Sequence, residues 1–431
     1  MSISATPAYL GKDFSHASPG LRFGMYLPLW GVNERTGELL WSTADIGHEV
    51  RGPQRQEREV KKENKTFALQ QACRLTADDK KVMQALAARQ SHSASTCPDL
   101  LTLDATATAP FTTGLGNEHP LENGFAFLNP FGLPYLPGSG IKGVLRQAAR
   151  ELASGEWGDT HGWTKDTVHV LERKGGKNIE LSVLDVLFGR ESDDGDIDHV
   201  RGALCFWDAI PQIKGDALAV DIMTPHQSHY YQQRQHRKSG DSTSPHDSGQ
   251  PNPISFLTLP PGTGFAFHVQ CDAVHLHRLA PDLAHDQRWK ALLTAAFAHA
   301  FDWLGFGAKT RVGYGAMVMD ERAQRRRIEA EQLAAQAAHM ASLSPAQQRI
   351  EAFVAELRAK HEQFPSFKEK PNAAFHNKAR ELAKAAHEGT DWSADDKRAA
   401  AEAIESWLPK LVQVDIKDER KKLKLSVLKG Q

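Results

Sequence analysis

From Leu100 to Ala109 the chain reads Leu-Leu-Thr-Leu-Asp-Ala-Thr-Ala-Thr-Ala, with apolar and polar positions alternating. A period of two predicts a strand with one face on a core. Past residue 140 the period changes. Ile141, Val144, Leu145, Ala148, Ala149 and Leu152 recur at helical spacing, which predicts an amphipathic helix opening at Gly138 and ending near Gly155. The same rules predict helices over 77–90, 179–188 and 286–303, the second closed by Gly189. They predict strands over 202–208 and 316–319, and a hairpin of strands over 254–259 and 264–272. Residues 92–98 read as a Ser/Thr-rich link. After Asp320 the pattern is helical throughout: 321–340, 345–360 with Phe353, Val354 and Leu357 inward, 375–386 and 395–408. The expected organisation is an N-terminal extension over 1–99, a mixed core over 100–320 and a helical C-terminal region over 321–431. That last region reads as a contact module for a neighbouring protein.

Composition narrows the classes. A chain of 431 residues can bury a sizeable core. Its 52 basic and 53 acidic residues give a net charge of −1, which argues against a uniformly basic nucleic-acid binder but not against local basic grooves. Cys73, Cys97, Cys205 and Cys271 are far apart and form no Cys-x-x-Cys pair, so neither a zinc knuckle nor a disulfide framework is expected. No apolar run reaches membrane-spanning length and no leader pattern opens the chain, so the expectation is a soluble, cytoplasmic protein without membrane contact. The mixed-charge run 51–65 reads as a solvated helix or a disordered arm, with RNA contact as the lesser reading.

Three stretches carry candidate chemistry. In Leu133-Pro-Tyr-Leu-Pro-Gly-Ser-Gly-Ile-Lys-Gly-Val-Leu-Arg146 a glycine turn, with Gly138, Ser139, Gly140 and Gly143, opens straight into the helix. Unpaired N–H groups and the positive dipole end there suit an anion. Lys142, Arg146 and Arg150 form a basic stripe beside it. The other reading is a tight turn before a core helix with solvated cations. A second loop, Gly305-Phe-Gly-Ala-Lys-Thr-Arg-Val-Gly-Tyr-Gly315, places Lys309, Thr310 and Arg311 among Gly305, Gly307, Gly313 and Gly315. It reads either as a phosphate contact or as a turn into an edge strand. The third stretch is an irregular insertion, about 221–253, holding His226, Tyr230, Tyr231 and Arg234. Interleaved rings and cations suit base stacking and phosphate contact.

Other chemistries fit poorly. Gly138-Ser-Gly-Ile-Lys-Gly143 is a literal G-x-G-x-x-G, but the prolines before it spoil a central parallel strand and no β-α-β repeat follows. The second loop has Ala308 where a P-loop needs glycine, and it follows a helix. No nucleophile elbow appears. The acidic loop 193–198 lacks calcium-loop spacing, and the histidines of the insertion lack ligand spacing. No metal, cofactor or catalytic residue is therefore expected, although His119 or His226 stays open as a general base for RNA cleavage.

An ordered set of short motifs gives the closest likeness. It comprises Gly114-Leu-Gly116, the first glycine turn, Leu187-Phe-Gly189, the strand 202–208 with Ala209 and Pro211, Thr224-Pro-His226 with Tyr230 and Tyr231, Asn252-Pro253 with Phe256, and the second glycine loop. Over about 100–320 this resembles the RAMP superfamily of CRISPR proteins, and within it the subunit-six family of type III-B (Cmr) effector complexes. Gly140 stands where that family usually has a second serine. The resemblance implies an α+β fold, a modified ferredoxin-like (RRM-like) core with long insertions. It also implies a non-catalytic subunit that caps the complex's backbone near the crRNA 3′ end, in contact with crRNA, target RNA and the other Cmr subunits, in antiviral defence. Lys142, Arg146, His226, Tyr230, Tyr231, Arg234, Lys309, Thr310 and Arg311 would carry the contacts. The alternative within the superfamily is a CRISPR RNA-processing endoribonuclease.

Overall fold

Leu103, Ala105 and Ala107 all turn their side chains to one buried face of strand β1 (Leu100–Ala107). The neighbouring strand β3 (Gly264–Cys271) does the same with Phe265, Phe267, Val269 and Cys271. In a computed structural model of the protein these two strands form the centre of a four-stranded sheet in the order β2–β3–β1–β4, with β2 (Leu204–Phe206) and β4 (Met317–Met319) outermost. Every neighbouring pair is antiparallel. The chain order is β1-α1-β2-β3-α2-β4, with helices α1 (Gly138–Ser154) and α2 (Arg288–His299). This is the ferredoxin-like arrangement, with long insertions. The structure describes residues 4, 6–32, 35–36, 39–41, 45–51, 56–62, 64–121, 123–172, 178–190, 199–224 and 253–430.

The two helices join one hydrophobic core with that sheet face. Ile141, Leu145, Ala148 and Leu152 come from α1, and Leu293, Ala296 and Phe297 from α2. Phe267 lies 5.4, 6.0 and 5.0 Å from the rings of Phe297, Phe301 and Phe306. Burying each such ring contributes about 1.5–3 kcal/mol. Helix α1 stops at Gly155, whose φ of 73° favours glycine. Phe23, Leu29 and Leu69 belong to the same core, so segments before β1 help to build it.

Several predicted elements take another form. Residues 179–182 are a strand, Ile179–Ser182, and only Val183–Phe188 is helical, because Ser182 and Asp185 make a capping box at that point. Residues 254–259 and 264–272 do not form a hairpin. Ile254–Thr258 pairs with Ala219–Met223, while β3 pairs with β1 and β2. In the 51–65 run, Gln56–Lys62 is a strand paired with Asp45–Arg51, not a helix. The helix after Thr76 continues to Ser95, into the expected link. Helix 286–303 begins only at Arg288, since Asp286 and Gln287 have φ of 50° and 53°. The acidic loop 193–198 lies outside the described residues.

The chain divides into two compact units, Met1–Arg325 and Arg326–Gln431. The helix α3 (Glu321–Ser342) has no buried residue. In the second unit α4 (Pro345–Gln363), α5 (Ala374–Glu388) and α6 (Ala394–Leu411) enclose Phe353, Leu357, Leu382, Ile404, Leu408 and Leu411. Capping boxes at Ser344 and Ser393 set the starts of α4 and α6. His376 and Glu419 are both buried there, 3.0 Å apart.

Candidate nucleic-acid interface

The glycines of the first turn divide into two kinds. Gly138 donates its N–H to Asp208 Oδ1 at 2.7 Å. A Cβ at that position would lie 2.1 Å from the Phe206 carbonyl oxygen. Gly138 therefore lets the start of α1 pack on the end of β2, and the protein's own carboxylate answers the positive helix end. Gly140 and Gly143 are exposed. A Cβ at Gly143 would meet nothing within 4 Å, and one at Gly140 only Leu136 Cδ1 at 3.7 Å. Each glycine costs the helix about 0.5–1 kcal/mol relative to alanine, and no contact within the described fold requires either. With exposed Ser139 they leave a strip of bare backbone on the first turn.

Beside that strip lies a cleft of about 170 Å³. Lys142 and Arg146 line it, facing Gly189, Arg190, Arg201 and Gly202. Arg146 Nη2 donates to the Gly189 carbonyl at 3.2 Å. Arg190 Nη1 donates to the Glu180 carbonyl at 2.6 Å, and Arg201 pairs with Asp272 at 2.6 Å. Four cations thus line one small opening, and one of them, Arg201, is paired with the Asp272 carboxylate. Arg190 and Arg201 were not among the expected residues. Each adjoins one of two glycines that cross closely: a Cβ on Gly202 would lie 2.5 Å from the Leu187 carbonyl oxygen. The Leu-Phe-Gly motif marked that crossing without naming its arginines. Arg150 is exposed but does not line the cleft.

The second glycine loop leads into β4, the outer strand on the other side of the sheet from β2. The structure thus places the two glycine stretches at separate edges. Gly305, Gly307 and Gly315 serve packing. A Cβ on Gly315 would meet the Phe306 carbonyl oxygen at 1.8 Å, and one on Gly307 the Thr112 carbonyl oxygen at 2.3 Å. Phe306, Ala308 and Gly315 donate their N–H groups to Gly315, Thr112 and Pro110. Arg311, Val312 and Gly313 form the exposed tip, with Thr310 half-buried. Lys309 Nζ sits 5.3 Å over the Phe256 ring and 2.7 Å from Met223 Sδ. Tyr314 donates its hydroxyl to Asp221 Oδ2 at 2.6 Å. Burial first, then the Asp221 acceptor, pushes the Tyr314 phenol up to about 12. Met223, Asp221 and Phe256 belong to the strand pair that flanks the insertion, so this loop is fastened to the insertion's base. His226, Tyr230, Tyr231 and Arg234 themselves lie outside the described residues.

His119 is committed to the fold. Its Nδ1 accepts the Leu121 N–H at 3.1 Å, so Nε2 carries the hydrogen and donates it to the Phe23 carbonyl at 2.8 Å. The ring stacks on Phe23 at 3.8 Å, and burial lowers its pKa. No lone pair is left for proton abstraction. Burial pushes the Cys73 and Cys271 thiols up to about 12, far from the thiolate range needed for nucleophilic work. Among the described residues no group of three or more His, Cys, Asp or Glu is placed to hold a metal ion, and no helix is long and apolar enough to cross a membrane.

Residues 104–318, about half of the chain, match the model of the RAMP superfamily, and the chain belongs to that superfamily through this domain. Among curated proteins it is similar to the CRISPR system Cmr subunit Cmr6 of Pyrococcus furiosus, 31% identical over 239 residues, which is 48% of this chain and 64% of that protein. The match therefore spans less than two thirds of the relative's length. Among solved structures it is similar to the crystal structure of Cmr6 from Pyrococcus furiosus, with 27% identity, 51% of this chain and 97% of that one covered, and a TM-score of 0.28. It is also similar to a chain of the type III-B Cmr-beta complex bound to cognate target RNA, solved by cryo-EM, with 18% identity, coverages of 60% and 72%, and a TM-score of 0.37.

Proposed function

We propose that this chain is a non-catalytic, RNA-binding subunit of a type III-B (Cmr) crRNA-guided effector complex in the cytoplasm, capping the backbone subunits near the crRNA 3′ end. The observation that carries the reading is the cleft where Lys142, Arg146, Arg190 and Arg201 converge beside the bare Gly140–Gly143 strip. Exposed backbone lets a phosphate chain approach, and the cations neutralise it without reading bases. Sequence choice then belongs to pairing by the guide RNA. The sequence likeness to a Cmr subunit supplies the assembly in which such a groove serves. Asp208 occupies the first helix N–H, so phosphate meets the flank of the first turn, Ser139 to Gly143, and not its axis. Co-purification tests this: the tagged chain should bring down Cmr backbone subunits and crRNA. Recovery without RNA or Cmr partners would count against it. Metal-independent cutting of repeat RNA by the purified chain would favour the endoribonuclease alternative.

A further inference from the structure

The second unit carries a corner where cations lie on aromatic rings. Lys360 Nζ is 4.4 Å from the Phe364 ring centre and 5.1 Å from that of Phe367. Both rings are exposed, Phe364 by 47% and Phe367 by 38%. Beside them Trp407 takes Lys410 at 4.0 Å and Arg358 at 5.6 Å. The two groups are tied together through backbone. Glu369 N–H donates to the Leu411 carbonyl at 2.8 Å, and Gln413 N–H to the Glu369 carbonyl at 3.0 Å. The exposed turn 364–368 is thereby held against the end of α6, and the Phe367 N–H closes it onto the Phe364 carbonyl at 3.0 Å.

Charge at this corner is one-sided. Arg358, Lys360, Lys368, Lys370 and Lys410 form no ion pair among the described residues. Glu362 is the exposed carboxylate on the same stretch. Glu369 is turned to the start of α5, where it accepts the His376 N–H at 3.1 Å. Elsewhere in this unit cations do find carboxylates: Arg420 and Lys429 both hold Glu405, and Lys378 holds Glu356.

We infer that this corner, Arg358–Lys370 with Trp407 and Lys410, binds single-stranded RNA without sequence choice. A nucleotide offers both a phosphate for a cation and a base face for a ring, and the corner presents both within one turn of chain. An acidic protein would use the cations and leave Phe364 and Phe367 in water. The inference does not depend on the cleft of the first unit. It concerns a region outside the superfamily match.

The test uses the full chain and a 20-nucleotide single-stranded RNA carrying 4-thiouridine. After irradiation, peptides from 358–370 or 404–413 should carry the label. Phe364→Ala with Phe367→Ala should abolish that label and weaken binding about tenfold, the scale of one lost base stack. Both side chains are exposed, so the variant should keep the wild-type circular dichroism spectrum and melting temperature. Labelling confined to the first unit overturns the inference and leaves the cleft reading standing. Unchanged affinity in the Phe variant, with polyglutamate displacing the RNA at equal charge, also overturns it.

Discussion

Tyr314 and Asp221, 93 residues apart, share one hydrogen bond of 2.6 Å, and that bond fastens the second glycine loop to the strands flanking the insertion. The phenol donates and the carboxylate accepts, so the bond needs Tyr314 neutral. The Tyr314–Phe256 ring contact at 5.7 Å and the Lys309 ammonium over the same Phe256 ring reinforce it. The loop is thus a brace first. Its exposed tip, Arg311 to Gly313, is what remains to meet a ligand.

Tyr314 should titrate late. Spectrophotometric titration at alkaline pH should include a phenolate forming near pH 12 that belongs to this residue. Because the folded pKa is raised above the ordinary 10, the stability this group contributes is full below pH 10 and is lost as pH rises toward about 12. Tyr314→Phe should remove the late step and cost about 1–2 kcal/mol at pH 7 in urea denaturation. A titration curve unchanged near pH 12 in that variant would contradict the assignment.

Gly138 and Gly143 should behave oppositely. Gly138→Ala drives a methyl group into the Phe206 carbonyl and should destabilise the first unit by more than about 2 kcal/mol. Gly143→Ala meets open space and should stabilise α1 by about 0.5–1 kcal/mol while lowering RNA affinity. Denaturation curves and RNA titrations on the two variants check both signs. Equal losses of stability would remove the distinction between packing glycine and bare strip.

Single elements of the core were legible from periodicity: β1 alternates, and α1 repeats at helical spacing. The order of motifs along 100–320 supplied the superfamily, and the ferredoxin-like arrangement came only with that resemblance. Pairing between distant strands was not legible. Adjacent strands 254–259 and 264–272 look like a hairpin, yet Asp221 opposes Phe256 and Leu103 opposes Phe267. The cleft was half legible. Lys142 and Arg146 stand one turn apart on α1, whereas Arg190 and Arg201 reach it only through the crossing of Gly189 and Gly202. Asp208 at the helix start was hidden for the same reason: it lies just past the end of β2, 70 residues away.

Glu419 should govern the acid stability of the second unit. Burial raises its pKa, but hydrogen bonds from Lys422 and His376 outweigh that, and the net shift is downward. A depressed carboxylate contributes stability above its ordinary pKa of 4.5, and that contribution is lost as pH falls through the lower folded value. Glu419→Gln should therefore cost about 1–3 kcal/mol at neutral pH. Its deficit against the wild type should shrink below pH 4.5. Urea melts at stepped pH, followed by circular dichroism, read the difference. A deficit that stays constant with pH would contradict the role given to the ionised carboxylate.

The most direct test of the central claim is crRNA affinity of the full chain as a function of potassium chloride, for the wild type and for Lys142→Ala with Arg146→Ala. If these side chains neutralise two phosphates of a single strand, the log–log salt slope should be shallower in the variant by about 1.4, with affinity lowered at every salt concentration. The same affinity and the same slope in both proteins would contradict it.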